Sequence, residues 1–119
     1  MKYSAAGLMP VLCAAWCLCG CEGGGFDHTP PAGQGTMIVD NRTFDTLLVY
    51  INGRQVFEAD DYDHELLDLA PGVYRVVIDQ KHGYHSYSAD MDILEGQLTV
   101  LEVKGYYSTR EYDVRTYYD

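Results

Sequence analysis

Between about Thr36 and the C-terminus, apolar and polar positions mostly alternate in short runs, and turn residues separate the runs every several positions. A period of two is the mark of half-buried strands, and no window sustains the 3.6-residue period of a helix. The spacing predicts strands over Thr36–Asp40, Leu47–Ile51, Arg54–Glu58, Glu65–Leu69, Val73–Asp79, Ser86–Ile93 and Leu98–Lys104. Asn52-Gly53 is the strongest hairpin signal, because both residues tolerate the positive φ of a type I′ turn. A two-residue loop then sets Ile51 opposite Arg54, Val49 opposite Val56 and Leu48 opposite Phe57. Ala70-Pro71-Gly72 and Glu95-Gly96 mark further turns. Tyr74, Val76 and Ile78 share one side of their strand, as do Tyr87, Ala89, Met91 and Ile93, while Leu101 and Val103 face inward. The fold class expected is all-β: a small antiparallel sandwich of seven or eight short strands over residues 36–119.

The C-terminal Tyr106–Asp119 segment, YYSTREYDVRTYYD, holds five of the eleven tyrosines. Alternation of Tyr112 and Val114 with Asp113 and Arg115 fits an extra edge strand or a tail lying on the sandwich. Tyrosine also offers rigid contact area at low entropic cost. Tyr106, Tyr107, Tyr112, Tyr117 and Tyr118 are therefore candidate binding residues for an envelope protein or a glycan.

Upstream the pattern changes. Lys2 precedes an apolar run of fourteen residues, Ala5–Leu18, broken by Gly7 and Pro10. That is shorter than the roughly 20 residues needed to cross a bilayer as a helix, and matches a secretory signal. All four cysteines, Cys13, Cys17, Cys19 and Cys21, lie in or just after this run. A zinc site needs cysteine pairs on turns and further ligands elsewhere, and no later cysteine exists to supply them. Leu18-Cys19-Gly20-Cys21 resembles the lipobox of bacterial lipoprotein signals. The resemblance implies cleavage before Cys21, a diacylglycerol thioether on its sulfur and an acyl chain on its new amino group. Two or three chains on one residue make release from a membrane negligible, since each buried methylene contributes about 0.8 kcal/mol. An ordinary secreted protein cut nearby, or an uncleaved apolar anchor, are the alternatives.

Cleavage would leave a folded part without disulfide or thiol nucleophile. The formal charge is −10, and losing Lys2 with residues 1–20 makes it −11. Such a surface repels phosphate backbones, which excludes nucleic acid as a partner. Residues 21–35 comprise the lipidated cysteine and a Gly/Pro-rich segment, EGGGFDHTPPAGQG, expected to serve as a tether spanning roughly 20 Å on average. Glu22 follows the lipidated cysteine where aspartate is associated with inner-membrane retention in some bacteria, so the outer membrane is the expected location.

A second resemblance rests on GTMIVDN, VYINGRQVF, LDLAPGVYRVVID, Gly83-Tyr84 and a final apolar strand. Together they resemble a PEGA-type domain, a small β-sandwich akin to transthyretin-like and carboxypeptidase-regulatory modules. The likeness implies an extracytoplasmic binding or spacer module without catalytic residues, although the tetrapeptide that names the family is missing.

The remaining chemistry is sparse. Asp60, Asp61 and Asp63 form the densest acidic run, and oxygen-rich loops bind Ca²⁺. An EF-hand loop started at Asp61 fails, because Leu66 and Gly72 stand where Gly and Glu are required. The default role of such a run is a solvated loop. His82 and His85, beside Tyr84, offer two transition-metal ligands without a third. Ser86 lacks the nucleophile elbow that a hydrolase would place around it. No metal, cofactor or small-molecule substrate is expected, and no enzyme. Asn41-Arg42-Thr43 fits the N-glycosylation pattern, which a bacterial lipoprotein would not normally use. The function expected is a lipid-anchored, non-catalytic interaction module for a protein or glycan. The alternative is a structural or accessory subunit of an envelope complex held by sheet-edge addition, with a hydrolase a distant third.

Overall fold

A computed structural model describes residues 25–105 and 110–119. Among these residues there are eight strands and no helix: β1 (Gly35–Asn41), β2 (Leu47–Ile51), β3 (Arg54–Ala59), β4 (His64–Leu69), β5 (Gly72–Gln80), β6 (Ser86–Ile93), β7 (Leu98–Lys104) and β8 (Asp113–Tyr118). They form two four-stranded sheets, β4-β1-β7-β8 and β3-β2-β5-β6, packed face to face. Alternate residues of both sheets fill the core between them. Met37, Val39, Leu101 and Val103 come from one sheet; Leu47, Val49, Val76, Ile78, Met91 and Ile93 come from the other. The all-β sandwich expected from the alternation is present, and β8 is the edge strand that the tail pattern allows.

One pairing departs from a purely antiparallel arrangement. β1 and β7 run parallel in the centre of their sheet, Thr36 opposite Leu98 through Asn41 opposite Val103. The whole second sheet intervenes between them in sequence, which supplies the long crossover that a parallel pair needs. Both strands are covered on both faces. Every residue of β1 is buried, as are Leu98–Val103 of β7.

The outer cover comes from the segment read as a tether. Phe26 packs with Leu66 and Tyr117 over Ile38, Leu98 and Val100, and its ring meets that of His64 edge-on at 4.9 Å. His28 Nε2 lies 2.9 Å from Asp68 Oδ1, and Thr36 Oγ1 donates to the same oxygen at 2.6 Å. Residues 25–34 have no regular structure, as their composition implies, yet from Phe26 onward they are fastened to the sheet and not free spacer. Burial of the apolar row Ile38–Val100 is the physical reason: left bare, it would cost roughly 25 cal/mol per Å².

The β2–β3 hairpin corrects the expected register. Asn52 (φ 51°) and Gly53 (φ 83°) form the turn, and Ile51 faces Arg54 as predicted. Beyond Tyr50–Gln55 the pairing shifts by one, so Val49 meets Phe57, Leu48 meets Glu58 and Leu47 meets Ala59. Val56 is the extra residue of a β-bulge. Without that shift Glu58 would stand across from Leu47 on the core face, since a slip of one residue exchanges the two faces of a strand. Deleting Val56 therefore leaves the pairing of Phe57 and Ala59 intact. We expect the variant to fold, with a loss of about 1–2 kcal/mol from the half-buried valine, measurable by urea unfolding; a fully unfolded variant would contradict the register.

Candidate functional site: a cavity at the loop end of the sandwich

Asn41 closes β1 and is fully buried. Its side-chain amide donates to the carbonyls of Asp45, Ala59 and Asp60 at 2.8, 3.0 and 3.0 Å, and its Oδ1 accepts from Thr43 N–H and Thr43 Oγ1 at 2.9 and 2.7 Å. One side chain thus fastens the 42–46 loop to the 60–63 loop. The Asn41 nitrogen of the apparent glycosylation pattern is spent on these bonds and unavailable for a sugar linkage.

Asp45 fastens a third loop. Its Oδ1 accepts from Thr46 N–H at 2.7 Å and lies 2.8 Å from His82 Nδ1; its Oδ2 accepts from Gln80 Nε2 and His82 N–H. Gln80 Oε1 in turn accepts from His85 N–H and sits 3.1 Å from His85 Nδ1. A Cβ at Gly83 would collide with the Gln80 amide and push that side chain from its place. Burial pushes the Asp45 carboxyl upward, but the bonds from His82, Thr46 and Gln80 outweigh it and hold it below the ordinary range.

These loops enclose a cavity of about 290 Å³, whose wall includes Arg42, Phe44, Asp45, Tyr62, Gln80 and Tyr112. Two aromatic side chains stand at it largely in solvent, Phe44 at 64% and Tyr62 at 67% exposure. Tyr62 N–H donates to Thr43 O, and Tyr62 adopts φ 55°, a left-handed conformation unusual for a bulky residue. Strain of that kind costs of order 1 kcal/mol or more and persists where the surroundings enforce it. Tyr112 is only 6% exposed, and its hydroxyl is buried without a hydrogen-bond partner among the described residues. Burial, then the charges of Asp45 and Asp79, push its pKa far upward, so it remains a protonated donor. The ring lies tilted against His85 with centroids 5.2 Å apart.

The structure separates the candidate tyrosines of the C-terminal segment. Tyr106 and Tyr107 lie outside the described residues. Tyr112 belongs to the loop-end cavity, Tyr117 packs on the outer face under the Arg115 guanidinium, and Tyr118 lines a smaller groove between β6 and β8. Successive residues of a strand point to opposite faces, so Tyr117 and Tyr118 cannot share one surface. Cys21 also lies outside the described residues.

Among the described residues no group of three or more His, Cys, Asp or Glu is placed to hold a metal ion, so Asp60, Asp61 and Asp63 do not converge on one. Asp63 instead accepts from His64 N–H in the exposed β3–β4 turn. His82 and His85 address Asp45 and Gln80 separately, which is why they form no metal pair. Phe44 and Tyr62 were not singled out by the sequence. Each is one aromatic residue in a polar loop, and only the Asn41 clamp brings them to the same cavity.

On the outer face a second polar group surrounds Glu102. Arg115 Nε approaches it at 3.2 Å, with Arg42 and Lys104 at 3.8 and 3.9 Å, while Arg42 Nε donates to Asp40 at 2.9 Å. The Arg115 hydrogen bond is the main cause of a depressed Glu102 pKa, and those of Thr36 and His28 depress Asp68. Carboxyls lowered on folding stabilise the protein above their unfolded values, near 3.8 for Asp and 4.5 for Glu. That contribution is lost as pH falls through the folded values. Urea midpoints should therefore be level from pH 7 to about 5 and fall steeply below about 4. Combining Asp45→Asn with Glu102→Gln should flatten that fall; an unchanged acid limb would contradict the assignment.

The fold is similar to that of the N-terminal domain of AlgF from P. aeruginosa, with a TM-score of 0.57 and 12% sequence identity over 75% of this chain and 96% of that one. No family model and no curated protein matches the chain.

Proposed function

We propose that the chain is a cell-envelope lipoprotein, cut before Cys21 and acylated there, that presents a non-catalytic β-sandwich as a binding module. The lipobox-like Leu18-Cys19-Gly20-Cys21 and the apolar run before it support the anchor. No helix among the described residues is long and apolar enough to cross a membrane. The observation that carries the reading is the polarity of the domain. Phe26 N–H donates to the Asp119 carboxylate at 2.9 Å, and Asp119 N–H bonds to Leu98 O at the start of β7. That is the end of the sandwich opposite the cavity, which lies beyond the finish of β1 and β5. Four residues separate Cys21 from Phe26, and the five Cα–Cα steps reach at most about 18 Å. The lipid would hold the domain close to the membrane by one end and leave the cavity facing away from it. Glu22 after the acylated cysteine favours the outer membrane.

The accessory-subunit reading has its own support in β8, an edge strand next to β7 that carries Tyr117 and Tyr118. The experiment compares wild type with Cys21→Ser in membrane and soluble fractions. Wild type should sediment with membranes, and the variant should accumulate unprocessed without a lipid-modified form. Retention of a normally processed variant in the membrane would overturn the anchor. Recovery of one stoichiometric protein partner that is lost on changing Tyr117 and Tyr118 would favour the accessory subunit.

A further inference from the structure

We infer that the free edge of β6 docks one extended, basic segment of another protein, taken up as an added strand. This rests on the accessory-subunit reading and adds the edge used and the partner's chemistry. The direction of the hydrogen bonds fixes which groups are open. Along β5 the odd-numbered residues bond toward β2: Arg75 O accepts from Asn52 N–H and, just past the strand, Lys81 N–H donates to Thr46 O. Even-numbered residues bond toward β6, where Tyr74 faces Met91, Val76 faces Ala89 and Ile78 faces Tyr87. Bonding alternates along an antiparallel pair, so Ser86, Ser88, Asp90 and Asp92 turn their backbone groups away from β5. At Ser86 the chain fills this edge itself: Ser86 N–H donates to Arg110 O, and Tyr112 N–H donates to Ser86 O. That parallel bridge goes no further, because the chain then enters β8 in the other sheet. Among the described residues no backbone partner meets Ser88 or Asp90 on that side. A row of unpaired N–H and C=O groups is a template for a strand.

The side chains along the edge select its occupant. An added strand sends alternate side chains to the two faces of the sheet. The inward ones enter the slot between β6 and β8, a cavity of about 190 Å³ with Met91 and Leu101 in its floor and Tyr87, Thr116 and Tyr118 in its walls. It is smaller than a small-molecule site usually is, and its apolar floor suits aliphatic side chains. The outward ones lie beside Ser88, Asp90 and Asp92, all exposed. Asp90 is paired with Arg75 at 2.9 Å, in the open, and the Asp92 carboxylate makes no ion pair among the described residues. Lys or Arg at the outward positions complements this row, since opposite charges across neighbouring strands attract. The same row argues against a second copy. Two β6 edges paired antiparallel about Asp90 would set Asp90 against Asp90, and like charges directly opposite destabilise a sheet, here between chains of formal charge −10. The fitting partner is therefore a strand that alternates aliphatic with basic residues.

The test titrates the full chain, recovered from membranes in detergent, with a fluorescent, end-blocked peptide of alternating Val and Lys. One control peptide alternates Val and Glu. A second is the Val and Lys peptide with its backbone nitrogens methylated, which keeps the side chains and the charge but loses the donors. The unmodified Val and Lys peptide should bind saturably with Kd near roughly 100 μM, and each control at least about tenfold more weakly. Ser88→Pro is the decisive variant. The Ser88 N–H points away from β5, so proline there removes a docking donor and no bond of the existing sheet. The variant should fold and bind the peptide about tenfold more weakly. Asp90→Ser combined with Asp92→Ser should weaken binding by a similar factor, and it leaves every backbone group in place, so it decides the matter if Ser88→Pro does not fold. No saturable binding below about 1 mM, equal binding of either control peptide, or indifference to the β6 variants overturns the docking site. So does a dimer in sedimentation velocity that Ser88→Pro dissociates, which would give the edge to a second copy. None of these results touches the accessory-subunit reading, tested by a partner that depends on Tyr117 and Tyr118, or the anchor, tested by fractionation of Cys21→Ser.

Discussion

Asn41→Ala is expected to cost about 3–5 kcal/mol, the largest loss from any single polar substitution in this domain. The side chain supplies donors to three backbone carbonyls and an acceptor to Thr43, all inside a fully buried position. Removing it strands the Ala59 carbonyl away from water and takes the donor from the half-buried carbonyls of Asp45 and Asp60, and an unmade buried hydrogen bond costs more than a made one contributes. In a domain of this size each kcal/mol moves the melting temperature by roughly 4–8 °C, so a fall of at least about 12 °C should appear in a thermal scan. Asn41→Asp is the informative companion. It keeps the size and the acceptor but loses the donors and sets a carboxylate against three carbonyl oxygens, so it should be as damaging as alanine. A loss under about 1 kcal/mol for both would show that the three loops are fastened by something else.

Gly35→Ala should be the next most harmful change, at about 2–3 kcal/mol. A Cβ there would overlap the Leu94 carbonyl oxygen and press on Ile93 Cγ2 at 2.8 Å, and the carbonyl belongs to backbone that cannot step aside without moving β6. Gly33→Ala separates steric from conformational cost. Gly33 has φ 79° but open space around it, so alanine should cost only about 1 kcal/mol for the left-handed backbone. Urea unfolding of the two variants side by side decides the matter; equal losses would contradict the close approach of β1 to the β6–β7 turn.

The strands were readable because their signals are local. Asn52-Gly53 specifies its turn through backbone preference alone, and the alternation of Tyr87, Ala89, Met91 and Ile93 reports one buried face directly. What escaped depends on partners distant in the chain. The parallel pairing of β1 with β7 joins segments on either side of an entire sheet. The Val56 bulge is decided by where Glu58 would otherwise point, not by any feature of Arg54–Ala59 alone. Phe26 and His28 sit among glycines and prolines, so nothing in their neighbourhood announces that a sheet face needs covering. The cavity was hidden for the same reason. Asn41 resembled a glycosylation site, and His82 resembled half of a metal site, until the carbonyls and the Asp45 carboxylate that occupy them were in view. In the tyrosine-rich C-terminus, too, the placement comes from the fold: β8 distributes the neighbours Tyr117 and Tyr118 to opposite faces.

The anchor decides where the cavity is presented and to what, and intact mass spectrometry of the protein extracted from membranes examines it most directly. The expected species is a chain that starts at Cys21 and carries the mass of a diacylglyceryl group with or without one further acyl chain. A chain that starts at Met1 and titrates four free thiols would contradict it.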